Sequence, residues 1–408
     1  MHIALINHYA GSLSHGMEYR PYYMAREWIE RGHSVSILAA SFSHVRRRNP
    51  ATGATQEKVD GIDYQWIPAS PYAGNGLKRF VNVVQFVTRL HQAAPAFARS
   101  LEPNVVIASS TYPLDIIPAL RLSRLAKARL IFEIHDLWPL SPMEIGGMPR
   151  WHPFIMLMSW AERRALRHAD RVVSMLPYAK SYLMSRGMAA EKFSYIPNGF
   201  WPSDWSDSTE LIEEPVCSKI SGLRKRFPFL IVYTGSHGAA NALEHFVKSA
   251  VYLHEHGIGL VLVGQGPEKV SLMEMARAQR SENILFLDPV PKGKIPALLR
   301  KFDGAYLGWR ALSLYRHGVS PNKLFDYMMA ERPVIHGINA ENDMVKEAGC
   351  GITVPAENAK ALAEACIELK LMPECERIRK GQRGREYARG NHDYGLLARR
   401  FEQVMKPR

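Results

Sequence analysis

Along the chain, short runs of apolar and β-branched residues alternate with longer stretches whose apolar positions recur at helical spacing. The first run, "HIALINHY", is followed by a helical stretch from about Glu18 to Glu30. Past the turn at Gly32 comes "SVSILAAS", which completes a predicted βαβ opening. Further strands are expected at "GIDYQWI", "NVVIASS", "RLIFEIH", "RVVSML" and "FSYIPN", with helices near Lys78–Ser100, Leu114–Lys127, Pro153–His168 and Ala179–Arg186. A run such as "NVVIAS" is apolar on both faces, as a parallel strand covered by helices on each side must be.

This rhythm breaks at "IPNGFWPSDWSDSTELIEEP", Ile196 to Pro215, where Pro, Gly, Ser and acidic residues cluster without a hydrophobic period. Beyond it the alternation restarts with "FLIVYTG", "GLVLVGQG", "NILFLDPV", "GAYLGW", "PVIHGI" and "GITVP", and the chain closes on helical stretches. The pattern predicts an α/β protein of two doubly wound, Rossmann-like domains facing across a cleft, at residues 1–195 and 216–385. Residues 196–215 read as a linker, and 386–408 as a C-terminal helix packing back on the first domain. Ligands of such sheets are expected at the carboxyl ends of the strands.

Several strand ends carry candidate chemistry. In "SPNKLFDYMMAERPVI", Ser320 suits a helix cap and Pro321 the first helical position. Asn322 follows, and Lys323 then falls three residues past the cap. A lysine there opposes the helix dipole at a cost of about 0.3 to 1 kcal/mol if exposed, and a bound phosphate reverses that sign. Either an exposed lysine is tolerated at this small cost or it awaits an anion. Asp326, one turn on, is placed to pair with Lys323 or to accept hydrogen bonds from sugar hydroxyls.

"YTGSHGAANALEHF" supplies a strand, a turn with Gly235, Ser236, His237 and Gly238, and then a helix. That geometry either cradles a diphosphate on backbone amides or is a tight βα turn. "VLVGQGPEKV" fits G-x-G at Gly264 and Gly266 but has Lys269 where a dinucleotide fingerprint needs its third glycine, so it reads as a structural turn. In the first half, the loop "NHYAGSLSHGMEYRP" with Gly16 and Glu18 is a second candidate anion or sugar loop. His135 ends its strand, either as a catalyst or as a strand-end hydrogen bonder. No His, Cys, Asp or Glu group has metal-ligand spacing, so no metal or other cofactor is expected, and no G-x-S-x-G elbow occurs.

Composition adds the charge. The 408 residues carry a formal charge of +13, of which residues 1–195 hold +9, from 23 Lys and Arg against 14 Asp and Glu. The triplet Arg46 to Arg48 and the stretches "LKRFVNVVQFVTRLHQAAPAFARS" and "MPRWHPFIMLMSWAERRALRH" are basic and amphipathic. They suit a solvated face or an anionic membrane surface; no nucleic-acid-binding motif accompanies them. No stretch reaches the roughly 20 apolar residues of a membrane span, and the N-terminal run reads as a first strand, not a signal peptide. The four cysteines have no C-x-x-C spacing and read as reduced thiols of a cytoplasmic protein.

Taken as a set, the Gly-rich first loop, "IPNG", "YTGSHG", "VGQGPE" and "SPNKLFDYMMAERPVI" resemble family 4 of the retaining glycosyltransferases, which have the GT-B fold. "INHYAGSLSHGMEYRPYYMAREW" with "HDLWPLSP" is similar, more narrowly, to bacterial O-antigen and capsule fucosamine (FucNAc) transferases. The resemblance implies transfer of a sugar from a nucleoside diphosphate donor, expected to be UDP-linked, held by the C-terminal domain. The acceptor would be a lipid-linked saccharide or oligosaccharide held by the N-terminal domain at the inner face of the cytoplasmic membrane. In the family a Glu-x7-Glu motif contacts the donor; here its positions are Gly318 and Asp326, so only the ribose contact carries over. The usual Arg and Lys on the diphosphate are missing from "YTGSHGAANALEHF", which leaves Lys323, aided by Arg310, as their replacement. The base is expected near Val290 and Pro291, and His135 and Gly16 at the donor sugar. A nucleotide-sugar epimerase of the same fold and a non-enzymatic polyanion binder are the alternatives.

Overall fold

The computed structural model describes residues 1–74, 76–206 and 211–406. It divides into two compact units, one of Met1–Asn198 together with the chain from Tyr394 onward, the other of Gly199–Asp393.

The first unit is built on β1 (His2–Ile6), β2 (Ser34–Ala40), β3 (Gln56–Val59), β4 (Ile62–Ile67), β5 (Val105–Ala108), β6 (Arg129–Ile134), β7 (Arg171–Ser174) and β8 (Phe193–Tyr195), in the order β3-β4-β2-β1-β5-β6-β7-β8. All neighbours pair in parallel except β3 with β4. β3 is absent from the sequence reading because "QEKV" has no apolar alternation; it is an edge strand whose polarity suits solvent. The order reverses between β1 and β5, so the segments after these two strands stand at the switch point where α/β sheets place their ligands. The helix expected from Glu18 begins at Arg20, just after Tyr19. The last helix, Tyr394–Met405, belongs to this unit: the ring of Phe401 meets Trp28 edge-on at 5.2 Å, and Tyr394 stacks on Tyr23.

The second unit contains β9 (Phe229–Thr234), β10 (Ile258–Val263), β11 (Ile284–Leu287), β12 (Gly304–Gly308), β13 (Val334–Gly337) and β14 (Gly351–Val354) in a parallel sheet ordered β11-β10-β9-β12-β13-β14. Its switch point lies between β9 and β12. β9 is buried at every position: Leu230 and Val232 enter the core beneath helix Asn322–Met329, while Ile231 and Tyr233 enter the core beneath helix Leu243–Leu253. This two-faced burial is why the strand reads as a continuous apolar run.

Part of the expected linker is core: Phe200 and Trp205 are buried in the second unit, and a helix starts at Glu214. Residues 207–210 of that stretch lie outside the described residues, as do 407 and 408 of the expected C-terminal helix. The helix Glu374–Asn391 runs through residues 385 and 386, where the sequence reading placed a boundary, and the chain changes unit after Asp393.

Candidate active site

In the second unit, β9 ends at Thr234 and passes into Gly235 at φ +133°, a conformation that favours glycine. The turn is seated on the loop after β10: a side-chain carbon on Gly264 would strike the Gly235 carbonyl, and one on Gly266 the His237 backbone. Gly264 and Gly266 therefore serve close backbone packing, as the sequence reading has it. Lys269 fixes the same loop, donating to the Gly264 carbonyl at 3.0 Å and to Asp288 at 2.7 Å.

Helix Asn322–Met329 points its first turn at this Gly235 turn. Leu324, Phe325 and Met328 are fully buried, each contributing about 1.5 to 3 kcal/mol of apolar burial. Tyr327 ties the helix to the strand end, its hydroxyl accepting from the Thr234 N–H at 2.9 Å. The cap differs from the expectation. Pro321, not Ser320, occupies the N-cap, so Asn322 is the first helical residue and Lys323 the second. Ser and Pro are both helix-start signals, and here proline's fixed φ serves the cap itself.

Lys323 crosses directly over Gly235. Its Nζ donates to Asn241 Oδ1 at 2.9 Å and lies 5.3 Å from the centre of the Tyr233 ring. Burial lowers its pKa from 10.5 to about 8, with Asp326 opposing the drop. Asp326 does not pair with Lys323 as the alternative reading had it; it accepts from Lys292 Nζ at 2.6 Å. Ser236 is exposed on the turn, whereas the ring of His237 is buried, and burial takes its pKa down to about 4. Its backbone is engaged as well, the N–H donating to the Gln265 carbonyl at 2.9 Å and the carbonyl accepting from the Glu268 N–H at 3.0 Å, so His237 holds the turn and does not add the donor that the sequence suggests. Val290 and Pro291, partly buried, follow β11 and lead into the turn carrying Lys292.

Arg310 sits among three carboxylates, Glu244 at 3.0 Å, Glu357 at 3.4 Å and Glu268 at 3.9 Å, with a further bond to the Ala239 carbonyl at 2.8 Å. Glu244, His245 and Glu357 lie close enough together to suit a cation, and the guanidinium supplies positive charge at that spot. Through Ala239, Arg310 braces the turn that follows Gly238.

In the first unit, His135 lies at the end of β6 between two carboxylates, Glu18 at 3.5 Å from Nδ1 and Glu133 at 3.4 Å from Nε2. Ser109 bridges, with its hydroxyl 2.6 Å from Glu133 and 2.8 Å from His135 Nε2. Burial works against the imidazolium, and the two carboxylates outweigh it, raising the pKa to about 9. Glu133 in turn is held well below the usual carboxylate range because the buried Arg20 overcomes its desolvation. Arg20 also donates to the carbonyls of Ile196 and Pro197, which fixes the "IPN" segment. Gly16, at φ +93°, packs against the Arg47 backbone, and Arg47 and Arg48 donate to the His15 carbonyl.

Residues 15–199 match the Glycosyl transferase 4-like domain, and residues 228–370 match the Glycosyl transferases group 1 family. The Escherichia coli protein WcaI, named for a glycosyl transferase role in colanic acid biosynthesis, is 22% identical over 400 residues, spanning 92% of each chain. The chain is a glycosyltransferase of the hexosyltransferase class. Sucrose-phosphate synthase of Thermosynechococcus elongatus matches with a TM-score of 0.74 at 15% identity, covering 99% of this chain and 98% of that one. Anabaena HepE, in complex with UDP-glucose, matches at 0.66 and 14% identity over 99% of both chains. The glycosyltransferase thus has the GT-B fold of Rossmann-like units. The epimerase and polyanion readings are set aside.

Three neighbours of the candidate residues are not singled out by the sequence reading. Asn241 and Lys292 are ordinary loop residues until folding brings them to Lys323 and Asp326. Glu133 left a signal: a carboxylate two residues before His135 on the same strand face, inside an otherwise apolar run. The Arg46 to Arg48 triplet is not a uniform basic surface. Arg46 is buried, donating to the carbonyls of His8, Ala10 and Ala40, and only Arg47 and Arg48 are exposed.

Proposed function

We propose that this enzyme moves a hexose, with retention of anomeric configuration, from a UDP-linked donor to a lipid-linked saccharide or oligosaccharide acceptor. The process served would be bacterial surface polysaccharide synthesis, of the O-antigen or lipopolysaccharide kind, by a cytoplasmic protein peripherally attached to the membrane and without a metal. An N-acetylated sugar such as FucNAc is the donor sugar that the sequence resemblance favours. The observation that carries the reading is the lysine at the glycine turn. Lys323, Ser236 and the N–H groups at the start of helix Asn322–Met329 converge where a strand end meets a helix N-terminus, an anion site by charge and dipole.

In the proposed front-face step, the bond from the anomeric carbon to the diphosphate oxygen breaks and the acceptor hydroxyl oxygen bonds to that carbon on the same face. The hydroxyl proton passes to the departing diphosphate. Lys323 and the helix N–H groups stabilise the charge that develops there, which is commonly the largest catalytic contribution in such reactions. Asp326 receives the ribose hydroxyls by exchanging Lys292 for them, and backbone groups near Val290 and Pro291 meet the base. Ser320 and Pro321 shape the approach to the helix start. In the first unit, the His135–Glu18 pair and the Gly16 loop are the candidate sugar-handling groups.

The test is thermal unfolding with EDTA present against UDP, GDP, ADP, CMP and dTDP and their sugars, on the wild type and Lys323→Ala. A ligand selective for the folded state raises its melting temperature. A shift with UDP and its sugars that disappears in the variant is expected; a shift that survives Lys323→Ala unchanged removes the lysine from the site.

A further inference from the structure

Helix Pro153–His168 buries Ile155, Met158, Ala161, Ala165 and Leu166 in the first unit. Met156, Trp160, Arg163, Arg164 and Arg167, spaced i, i+4, i+7, i+8 and i+11, form the opposite stripe. Trp160 is 48% exposed, Met156 59%, and Trp151, just ahead of the helix, 72%. The Arg164 guanidinium lies over the Trp160 ring at 5.6 Å. Beside this stripe begins a second one. Phe154 meets Phe80 edge-on at 5.8 Å, so the first turns of helices Pro153–His168 and Leu77–Leu101 are neighbours. The latter exposes Leu77, at 77%, with Val81 and Val84.

The charge around these apolar residues has one sign. Helix Leu77–Leu101 holds Lys78, Arg79, Arg89 and Arg99 and no Asp or Glu. The single acid of helix Pro153–His168, Glu162, is buried and engaged by Arg186 at 2.7 Å and Tyr182 at 2.9 Å. Isolated exposed hydrophobics need no explanation, but tryptophans, methionine and leucine gathered among arginines, with no exposed carboxylate within either helix, do. A second copy is a poor occupant, because the same face on both copies sets like charges together. An anionic lipid surface is complementary in both respects: interfacial tryptophan suits the headgroup layer, and arginines suit lipid phosphates. Among the described residues no helix is long and apolar enough to cross a membrane, so the contact is one of lying on the surface.

We propose that this face, formed by the stripes of helices Leu77–Leu101 and Pro153–His168, docks on an anionic phospholipid bilayer, with Trp151 and Trp160 entering the headgroup layer. The inference deepens the reading of a lipid-linked acceptor and takes its purpose from it, while its physical basis is this surface.

Cosedimentation of the full chain with vesicles of phosphatidylcholine, with and without phosphatidylglycerol, tests it. Binding is expected only with phosphatidylglycerol, and it should weaken as salt rises. The double variant Trp151→Ala/Trp160→Ala should lose about tenfold or more in partitioning. Arg163→Gln/Arg164→Gln/Arg167→Gln should weaken binding and flatten its salt dependence. Equal binding to both vesicles, or variants that bind like the wild type, overturn the proposal. So does a concentration-dependent dimer that the tryptophan variant abolishes with no vesicle binding by the wild type. A cooperative thermal unfolding transition without ligand verifies that the variants are folded, and UDP-induced thermal stabilisation is measured on the same preparations. Vesicle binding without that stabilisation upholds the docking face and sinks the donor reading; stabilisation without vesicle binding does the reverse.

Discussion

The side chain of Lys323 occupies the space that a Cβ on Gly235 would fill. The two residues come from different elements, one from the first turn of a helix and one from the end of β9, and Tyr327 locks those elements together through Thr234. The glycine is therefore required twice, for its positive φ and for the passage of the lysine.

Gly235→Ala should displace Lys323 and strain the turn. A stability loss of about 1 to 3 kcal/mol is expected from the backbone conformation alone. The more telling expectation is a drop in UDP affinity of about tenfold or more, matching that of Lys323→Ala, because both changes remove one ammonium from one place. Calorimetric titration of both variants checks this. If Gly235→Ala binds UDP like the wild type, the lysine and the turn do not act together.

Arg46→Met should destabilise the protein although the position lies in a run of three arginines. Its guanidinium satisfies the carbonyls of His8, Ala10 and Ala40 and stands 4.8 Å over the Trp66 ring. The His8 carbonyl keeps the Ala40 N–H, but the Ala10 and Ala40 carbonyls lose this donor; at about 1 to 3 kcal/mol for a buried acceptor left unpaired, a loss of roughly 3 kcal/mol is expected. Exposed Arg48→Met should stay within about 0.5 kcal/mol. Denaturation midpoints of the two variants make the comparison.

Much of the fold was legible because its two signals, continuous apolar strands and helical period, are local. β3 was not, since its pairing with β4 compensates for a polar sequence. The site divides the same way. Gly235 and the helix carrying Lys323, which form the proposed anion site, each stand out within a few residues of chain. Arg310 among Glu244, Glu268 and Glu357, and Lys292 on Asp326, join residues far apart in sequence, and no spacing rule reaches that far. The cap moved from Ser320 to Pro321 because two adjacent residues carried equivalent start signals, and a one-residue register is the least determined property of a helix end.

The imidazolium of His135 should make stability fall in mild alkali. Its folded pKa, about 9, lies above the ordinary 6.5 because Glu133 and Glu18 outweigh burial. The contribution is therefore fully present below about pH 6.5 and lost as pH rises through about 9. It amounts to on the order of 3 kcal/mol. Glu18→Gln removes one of the two partners and should shift the loss to lower pH, while His135→Gln should abolish that part of the pH dependence. Unfolding midpoints across the range, with the imidazole resonance of His135 followed by NMR, check both; a neutral His135 at pH 7 overturns the assignment.

Donor affinity should carry the titration of Lys323. In the free enzyme its pKa is lowered to about 8 by burial, so the ammonium is mostly present at pH 7 and mostly gone a unit or two above 8. A bound diphosphate favours the charged form, hence binding must take up a proton wherever the free lysine has lost it. UDP affinity should accordingly be level from pH 7 to near 8 and then fall by about tenfold per pH unit, until the pH reaches the pKa of the occupied site. Proton uptake on binding should appear in calorimetric titrations as a dependence on buffer ionisation enthalpy above pH 8. Lys323→Ala should bind weakly at every pH and show neither effect. A wild type whose affinity is level through pH 9 would mean that the diphosphate is neutralised by another cation, and attention would pass to Lys292, which is already at hand on Asp326.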